Sequence, residues 1–148
     1  MKRINEYKKL FEVDQDMSLK FLKKKYRNLV KEWHPDKFQA GDDKAVEAEL
    51  KSRQIIDGYH FLVSIAPETK DANLEEFNQT ISTTIMDWQH KGLVLEVTFL
   101  NGDTYEFFGV NKALYIKFSQ SDKQNRFGKR NIFNTYTSRK IKKKEVQA

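Results

Sequence analysis

SLKFLKKKYRNLVKEWHPD, residues 18–36, decides the fold of the N-terminal half of the chain. Its apolar side chains recur every three or four residues, which is the stripe of an amphipathic helix. The stripe comprises Leu19, Leu22, Tyr26, Leu29, Val30 and Trp33. Ser18 suits the N-cap, and Pro35 disfavours helical backbone at His34. The sequence therefore predicts a helix that ends near Trp33, followed by an exposed loop formed by His34, Pro35 and Asp36.

Five cations lie on the other side of this helix. Their spacing places them along one face instead of scattering them around the helix. This cationic ridge comprises Lys20, Lys23, Lys24, Arg27 and Lys31. A solvated face is the plain alternative, because surface lysines are common. Next to the polar loop we favour a docking surface for a partner protein with an acidic patch.

A second helical pattern runs from Asp43 to Ser64. The residues on its predicted inner side are Ala48, Ser52, Ile55, Ile56, Tyr59, Leu62 and Val63. Gly41-Asp42-Asp43 signals the preceding turn, with Asp available as a cap, and Pro67 lies at or just beyond the helix end. Two helices joined by a loop imply an antiparallel hairpin, with a short helix around Glu6 to Leu10 covering one end.

These residues resemble the J-domain of DnaJ-type co-chaperones over about residues 4–66. The likeness rests on Leu22-Lys-Lys-Lys-Tyr-Arg27, Trp33-His-Pro-Asp-Lys37 and Ile55-Ile-Asp-Gly-Tyr-His-Phe-Leu62, with Tyr7 and Leu10 in the first helix. It implies that the cationic ridge docks on a DnaK-type ATPase chaperone. It also implies that His34-Pro35-Asp36 stimulates ATP hydrolysis by that partner.

The chain departs from the family pattern at a few positions. Phe11-Glu12 stands where a Gly is common, Ser52 where a Phe is usual, and Asn28 at a position that is often basic. Gly58 stands where Ala is usual, and we expect it to let helices approach closely at a cost of ~1 kcal/mol in helix propensity.

Composition bounds the remaining possibilities. The chain has 148 residues and no cysteine, which allows one domain or two small ones and excludes disulfides and thiolate chemistry. We expect neither a transmembrane helix nor a secretory signal, and therefore a cytoplasmic protein. His34, His60 and His90 are isolated from any nucleophile or second metal ligand, with His60 on the second helix and His90 in a turn. We expect no enzyme activity, metal or cofactor.

Charge and periodicity divide the chain. The balance of Lys and Arg against Asp and Glu is 14 − 11 = +3 for residues 1–66, 1 − 5 = −4 for 67–90 and 12 − 5 = +7 for 91–148. Residues 67–80 are polar and acidic, which predicts a linker with at most one or two helical turns. The period then changes from about 3.6 to 2, so a second domain should begin near Ile81.

The second domain has the pattern of a small antiparallel sheet, so the whole chain belongs to the α+β class. Strands are predicted over residues 81–88, 93–100 and 103–108 as a meander, with Asn101-Gly102 as a type I′ turn. One short helix is predicted over residues 111–118 and a further strand over residues 132–136. The basic tail after Ser138 is expected to be frayed.

This half resembles a second family, the KTSC domain, named for the C-terminus of some lysine-tRNA synthetases. The likeness covers about residues 81–140, followed by a basic tail at 141–148. It rests on Leu93-x-Leu-x-Val-x-Phe99 before Asn101-Gly102, on Tyr105-x-Phe107 with Phe108-Gly109-Val110, and on a Ser119/Ser121 segment leading to Phe127 and Ile132-x-x-x-Tyr136. RNA binding is a suggested role for this family.

Cations and aromatic residues alternate near the C-terminus, a mixture that suits nucleic-acid backbones and stacked bases. The cations are Lys123, Arg126, Lys129, Arg130, Arg139, Lys140, Lys142, Lys143 and Lys144. Phe127, Phe133 and Tyr136 are interleaved with them, although the last two could be core residues. The candidate RNA-binding residues are Lys123, Arg126, Phe127, Lys129 and Arg130.

We expect a J-domain co-chaperone whose C-terminal module targets it to a client or to RNA. The alternative is an RNA-binding protein that uses the helical hairpin only as a scaffold.

Overall fold

A computed structural model describes residues 2–38 and 43–141, with only the backbone of Pro35. The chain divides into two compact units, one comprising Lys2–Asp71 and one beginning at Ala72. The first unit is helical, and the second combines an antiparallel sheet with helices, which confirms the α+β class. In the described ranges, no helix is long and apolar enough to cross a bilayer.

In residues 2–38 and 43–72, the structure contains four helices and one 3₁₀ turn. They are α1 (Lys2–Leu10), α2 (Leu19–Trp33), the 3₁₀ turn (Pro35–Lys37), α3 (Asp43–Ile65) and α4 (Pro67–Ala72). The Tyr26 ring lies 4.3 Å from the Tyr59 ring, and Lys51 Nζ lies 5.7 Å from the centre of the Trp33 ring. Later residues of α2 therefore meet earlier residues of α3, which confirms the antiparallel hairpin. The predicted turn at Gly41-Asp42 lies outside the described residues.

The core of the N-terminal unit is contributed by α1, α2 and α3. Its buried apolar residues are Ile4, Phe11, Leu22, Ala48, Ile55, Phe61, Leu62, Ile65 and Ala66. The predicted inner side of α3 was wrong at Ile56, which is 40% exposed, and it omitted Phe61, which is fully buried. Phe61 lies 5.3 Å from the Tyr7 ring because α3 packs against α1 as well as α2. A helix with two neighbours buries a wider face than one stripe.

A Schellman motif ends α1. The Val13 amide donates to the Lys8 carbonyl at 2.8 Å, and the Glu12 amide donates to the Lys9 carbonyl at 3.1 Å. Glu12 has a φ of 52°, the left-handed conformation that this position requires and that glycine adopts most easily. Glycine would adopt this conformation without the strain that a side chain brings. Phe11, one residue earlier, is fully buried.

Gly58 lies where α3 packs closely against Tyr7 of α1 and against Phe11, in line with the expectation that it lets helices approach closely. A Cβ built on Gly58 would lie 2.9 Å from Tyr7 Cδ1 and 3.1 Å from Phe11 Cε1. Real Cβ atoms almost never approach a ring carbon as closely as the first of these distances, so a side chain here would force a ring to move.

The C-terminal unit places a four-stranded sheet against helices. Its elements are α5 (Leu74–Ile81), β1 (Ile85–Lys91), β2 (Val94–Phe99), β3 (Thr104–Phe108), α6 (Lys112–Gln120), α7 (Gln124–Gly128), a π-helical turn (Lys129–Phe133) and β4 (Thr137–Ile141). The strand order is β1-β2-β3-β4, and each neighbouring pair is antiparallel. The predicted three-stranded meander is thus confirmed and gains a fourth strand.

Several predicted elements of this unit were misplaced. The first strand begins at Ile85, because Ile81 is the last residue of α5. The last strand is Thr137–Ile141 and not residues 132–136, since Ile132 and Phe133 are buried in the π-helical turn. Residues 139–141 are therefore ordered in a strand instead of frayed, and residues 142–148 lie outside the described range. Up to residue 141, three helices instead of one accompany the sheet.

The β2–β3 turn also differs from the prediction. A type I′ turn needs positive φ at both central residues, but among the described residues only Glu12 and three glycines, Gly102 among them, have one. The Gly102 amide donates to the Phe99 carbonyl at 2.9 Å, and the Phe99 amide donates to the Asp103 carbonyl at 2.9 Å. Gly102 itself has a φ of 91°, so the loop has the pattern of a turn followed by a glycine bulge.

The acidic segment is mostly helical and not a linker with one or two turns. In α5, Phe77 and Ile81 are buried in the core of the C-terminal unit, which also contains Leu95, Phe107 and Phe118. Lys140 of β4 forms ion pairs with Glu76 of α5 and with Asp103. The Glu76 carboxylate raises the pKa of Lys140 above its usual value, while burial raises that of Tyr105 in the same cluster.

Candidate functional site

His34 and Asp36 lie where α2 stops. The helix ends at Trp33, and the backbone at His34 is extended, with φ −61° and ψ 129°. The extended conformation is the one that a following proline favours. The next residues form the 3₁₀ turn, in which the Lys37 amide donates to the His34 carbonyl at 3.0 Å. The helix end and the turn thus fix the backbone that carries both side chains.

The two side chains form a small polar pair that faces solvent. His34 Nδ1 accepts a hydrogen bond from the Asp36 amide at 3.2 Å and lies 3.5 Å from Asp36 Oδ2. Because Nδ1 accepts, the proton of a neutral ring is on Nε2. The side chain of His34 is 49% exposed and that of Asp36 is 91% exposed. One donor and one carboxylate are therefore available to a partner protein.

The predicted cationic ridge is present on α2. Lys20, Lys23, Lys24, Arg27 and Lys31 are all exposed. Within residues 2–38 and 43–141, none of the five takes part in an ion pair.

Lys25 behaves differently from the ridge. Lys25 is half-buried, and its Nζ lies 2.7 Å from the Glu12 carboxylate. The hydrogen bond and the positive charge of Lys25 lower the pKa of Glu12. The neighbouring cations of the same helix stay in water. The cationic ridge therefore remains exposed on α2, and the His34–Asp36 pair follows at the end of the same helix.

A second group of cations surrounds α7. Lys123 precedes this helix, Arg126 lies in it, and Lys129 and Arg130 lie in the π-helical turn that follows. Lys123, Arg126 and Arg130 are exposed, while Lys129 donates to Ser82 Oγ at 3.1 Å. The four cations are therefore neighbours along α7 and the turn that follows it.

Other predicted members of the C-terminal site have structural roles. Phe127 is half-buried, with its ring 6.4 Å from that of Phe118, and Phe133 is a fully buried core residue. Arg139 pairs with Glu106 at 3.2 Å, and Lys140 pairs with Glu76. Lys142, Lys143 and Lys144 lie outside the described residues. Of the six cations in the described range, Arg139 and Lys140 thus already have carboxylate partners within the unit.

An aromatic group that the sequence did not single out lies between β1 and α6. The expectation that His90 lies in a turn was wrong, because it is a half-buried residue of β1. Its Nε2 donates to the Val110 carbonyl at 2.7 Å, and its ring stacks on Tyr115 with 4.6 Å between the centroids. The Trp88 ring meets Phe118 edge to face at 6.1 Å. The sequence signal that could have indicated this group is the pair of aromatic residues two positions apart, Trp88 and His90.

Comparison with known families accounts for most of the chain in two segments. A DnaJ domain matches residues 6–71, and a KTSC domain matches residues 82–136. No curated protein matches the chain. The first match contains the cationic ridge and the His34–Asp36 pair, and the second contains the meander, α6 and α7. The chain is therefore a protein with a DnaJ domain, and so a J-domain co-chaperone in general terms, followed by a KTSC domain.

Proposed function

We propose that this protein stimulates ATP hydrolysis by a DnaK-type chaperone and that it docks through α2. The proposal depends mainly on one observation: the exposed His34–Asp36 pair lies at the end of the helix that carries the cationic ridge. The five cations of the ridge are exposed and have no carboxylate partner among the described residues. A DnaJ domain implies a partner of this class in general.

The chemistry of docking follows from charge and exposure. Cations that remain hydrated and unpaired attract an acidic surface over about one Debye length and orient the encounter. The ridge of α2 then brings the helix end to the partner. There the Nε2 proton of His34 and the carboxylate of Asp36 can replace hydrogen bonds within the chaperone, which alters its conformation instead of adding a catalytic group.

In this proposal the protein binds no nucleotide and needs no cofactor, and the chemical step belongs entirely to the partner. The direct test is steady-state ATP hydrolysis by a DnaK-type chaperone with and without the protein. We expect the rate to rise and to saturate with the concentration of the protein. A chaperone rate that does not change at any concentration would contradict the proposal.

For the KTSC domain we propose RNA binding through the cations around α7. Lys123, Arg126 and Arg130 are exposed, and none of them forms an ion pair within the described part of the chain. Phosphate contacts release counterions, so the affinity for RNA should fall linearly with salt on a log–log scale. Replacing Arg126, Lys129 and Arg130 with Ala should flatten that slope.

Salt-dependent RNA binding without any ATPase stimulation would favour the alternative, an RNA-binding protein with the helical hairpin as a scaffold. The absence of RNA binding even at low salt would eliminate this role and leave the domain as a protein-interaction module.

A further inference from the structure

Two half-buried rings of β1 lie side by side at the edge of the C-terminal sheet. Trp88 and His90 are two residues apart, so they point to the same face of the strand, about 7 Å from each other. Among the described strands, β1 is at the edge of the sheet and pairs only with β2. This face of β1 is the one on which α6 packs, because Trp88 contacts Phe118 and His90 contacts Tyr115.

The Trp88–Phe118 and His90–Tyr115 contacts both join β1 to α6. Tyr115 and Phe118 are three residues apart on α6, which places them on one face of that helix. Phe118 is fully buried, whereas Trp88, His90 and Tyr115 each keep part of their surface in solvent. We call these three residues the aromatic rim. Its members are held by the core on one side and are accessible on the other.

A hydrogen bond fixes the His90 ring, and a side-chain cap fixes the start of the helix that carries Tyr115. His90 is tied to the Val110 carbonyl, one residue before the Asn111 cap of α6. Asn111 in turn accepts from the Leu114 amide at 2.8 Å. Because the rings are already ordered, stacking on them would lose little conformational entropy.

Cations flank the rim at both ends. At the start of β1, the side-chain amide of Asn125 in α7 bonds to the Thr83 carbonyl, and Lys129 bonds to Ser82. Arg126, the neighbour of Asn125, is exposed. At the other end, Lys112 is the first residue of α6 and is also exposed.

Two carboxylates are close in sequence to the elements that form this strip. Asp87 alternates to the opposite face of β1 from Trp88, and Asp122 lies in the connection between α6 and α7.

We propose that single-stranded RNA binds along the edge of β1, with bases stacked on Trp88 and on the His90–Tyr115 pair and with phosphates held by Arg126, Lys129 and Lys112. This inference rests on the proposed RNA binding of the KTSC domain, and it moves base stacking from Phe127 to the aromatic rim. β1 spans about 20 Å, which is long enough for several extended nucleotides. Rings that stack on bases tolerate any sequence, so the site should select single strands and not a particular base order.

The test uses the full-length chain and a fluorescein-labelled oligouridylate, with binding followed by fluorescence anisotropy at low salt. Trp88→Leu keeps an apolar side chain against Phe118 but removes the ring, and we expect it to weaken binding by about five- to 150-fold. Tyr136→Leu is the matched control, because Tyr136 is a half-buried ring of the same unit that lies against Gly109. It should bind as the wild type does.

A second readout does not depend on the stability of the Trp88 variant. The chain has two tryptophans, Trp33 and Trp88, so Trp33→Phe leaves Trp88 as the single indole fluorophore. Saturating oligouridylate should quench its emission, and a duplex of the same length should quench it much less.

The outcomes separate the two proposals. If Arg126, Lys129 and Arg130 are needed for binding but Trp88→Leu binds normally and Trp88 is not quenched, the aromatic rim is overturned while RNA binding stands. If the wild type binds no oligouridylate at all, both are overturned. Quenching together with loss of affinity in Trp88→Leu but not in Tyr136→Leu supports the rim.

Discussion

Glu12 occupies a backbone position that suits glycine. Its φ of 52° is imposed by the Schellman motif that ends α1, in which the Val13 amide must reach the Lys8 carbonyl. A side chain at positive φ is strained because its Cβ crowds the backbone. The Glu12–Lys25 ion pair lies at the surface, where such pairs contribute little. The conformation of residue 12 therefore matters more for stability than its charge.

We expect Glu12→Gly to raise the melting temperature, because glycine relieves the strain at positive φ. Glu12→Ala is the control, since it removes the same carboxylate but keeps a Cβ. It should leave the melting temperature unchanged or lower it slightly. Thermal unfolding followed by circular dichroism measures both. A loss of stability in the glycine variant equal to that in the alanine variant would show that the ion pair dominates.

Gly58 is a position where a better helix former should destabilise the fold. Alanine would gain ~1 kcal/mol of helix propensity, but its Cβ would lie 2.9 Å from the Tyr7 ring. We expect Gly58→Ala to cost roughly 1–3 kcal/mol net, the usual range for overpacking a core.

Urea unfolding measures the effect of Gly58→Ala. Ser52→Ala on the same helix is the control and should be neutral or stabilising by a few tenths of a kcal/mol. The cost at Gly58 should shrink in a Tyr7→Leu background. An unchanged cost there would mean that Tyr7 is not the ring that rejects the side chain.

At the scale of the element, α2 should act through its charge. Reversing Lys23 and Arg27 to Glu should slow association with the DnaK-type chaperone, because steering depends on the sign of the field, and added salt should reduce the difference. Lys2→Glu with Lys9→Glu on α1 changes the net charge equally and serves as the control. Stopped-flow or surface-plasmon measurements give the association rate. Equal rates for the two double variants at low salt would count against the ridge.

The helix α5 should be part of the C-terminal fold. Phe77 is buried and Leu74 is 41% exposed, although they lie on the same short helix. We expect Phe77→Ala to destabilise the C-terminal unit by about 3–5 kcal/mol and Leu74→Ala to change it by less than about 0.5 kcal/mol. Trp88 fluorescence in a Trp33→Phe background monitors the unfolding of this unit. A small effect for both variants would show that residues 74–81 form a linker after all.

The same helix shows where periodicity stops being informative. Leu74 and Phe77 are three residues apart, but eight residues give too few turns for a stripe to stand out among acidic neighbours. Ile81 was predicted in a strand because β-branched residues follow it. α2 and α3 were predictable because their 15 and 23 residues repeat the pattern several times.

Tertiary contacts explain the remaining errors. Phe61 is buried because α1 packs on α3, which no pattern within α3 reveals. Ile132 and Phe133 resemble a strand in composition but fill the core from a π-helical turn. His34 and Asp36 could be placed from the sequence, because Pro35 ends the helix by local sterics alone. The aromatic rim could not be predicted from the sequence, because it forms only where β1 packs against α6.

In the whole molecule, we expect each of the two units to carry its own function. Each unit buries its own set of apolar residues, and each contains a separate family match. A change that unfolds the C-terminal unit should therefore leave the chaperone-docking residues of α2 intact. Phe77→Ala should lose RNA binding but stimulate the chaperone ATPase as well as the wild type does. Loss of both activities would mean that docking also requires the KTSC domain.

The central claim is tested most directly by the single-turnover rate of ATP hydrolysis on a DnaK-type chaperone in the presence of matched variants. His34→Gln and Asp36→Asn should abolish the stimulation without a change in melting temperature, since both side chains are exposed. His60→Gln and Asp57→Asn make the same chemical changes at exposed positions of α3 and should stimulate fully. Normal stimulation by His34→Gln or Asp36→Asn, or equal losses in all four variants, would contradict the account.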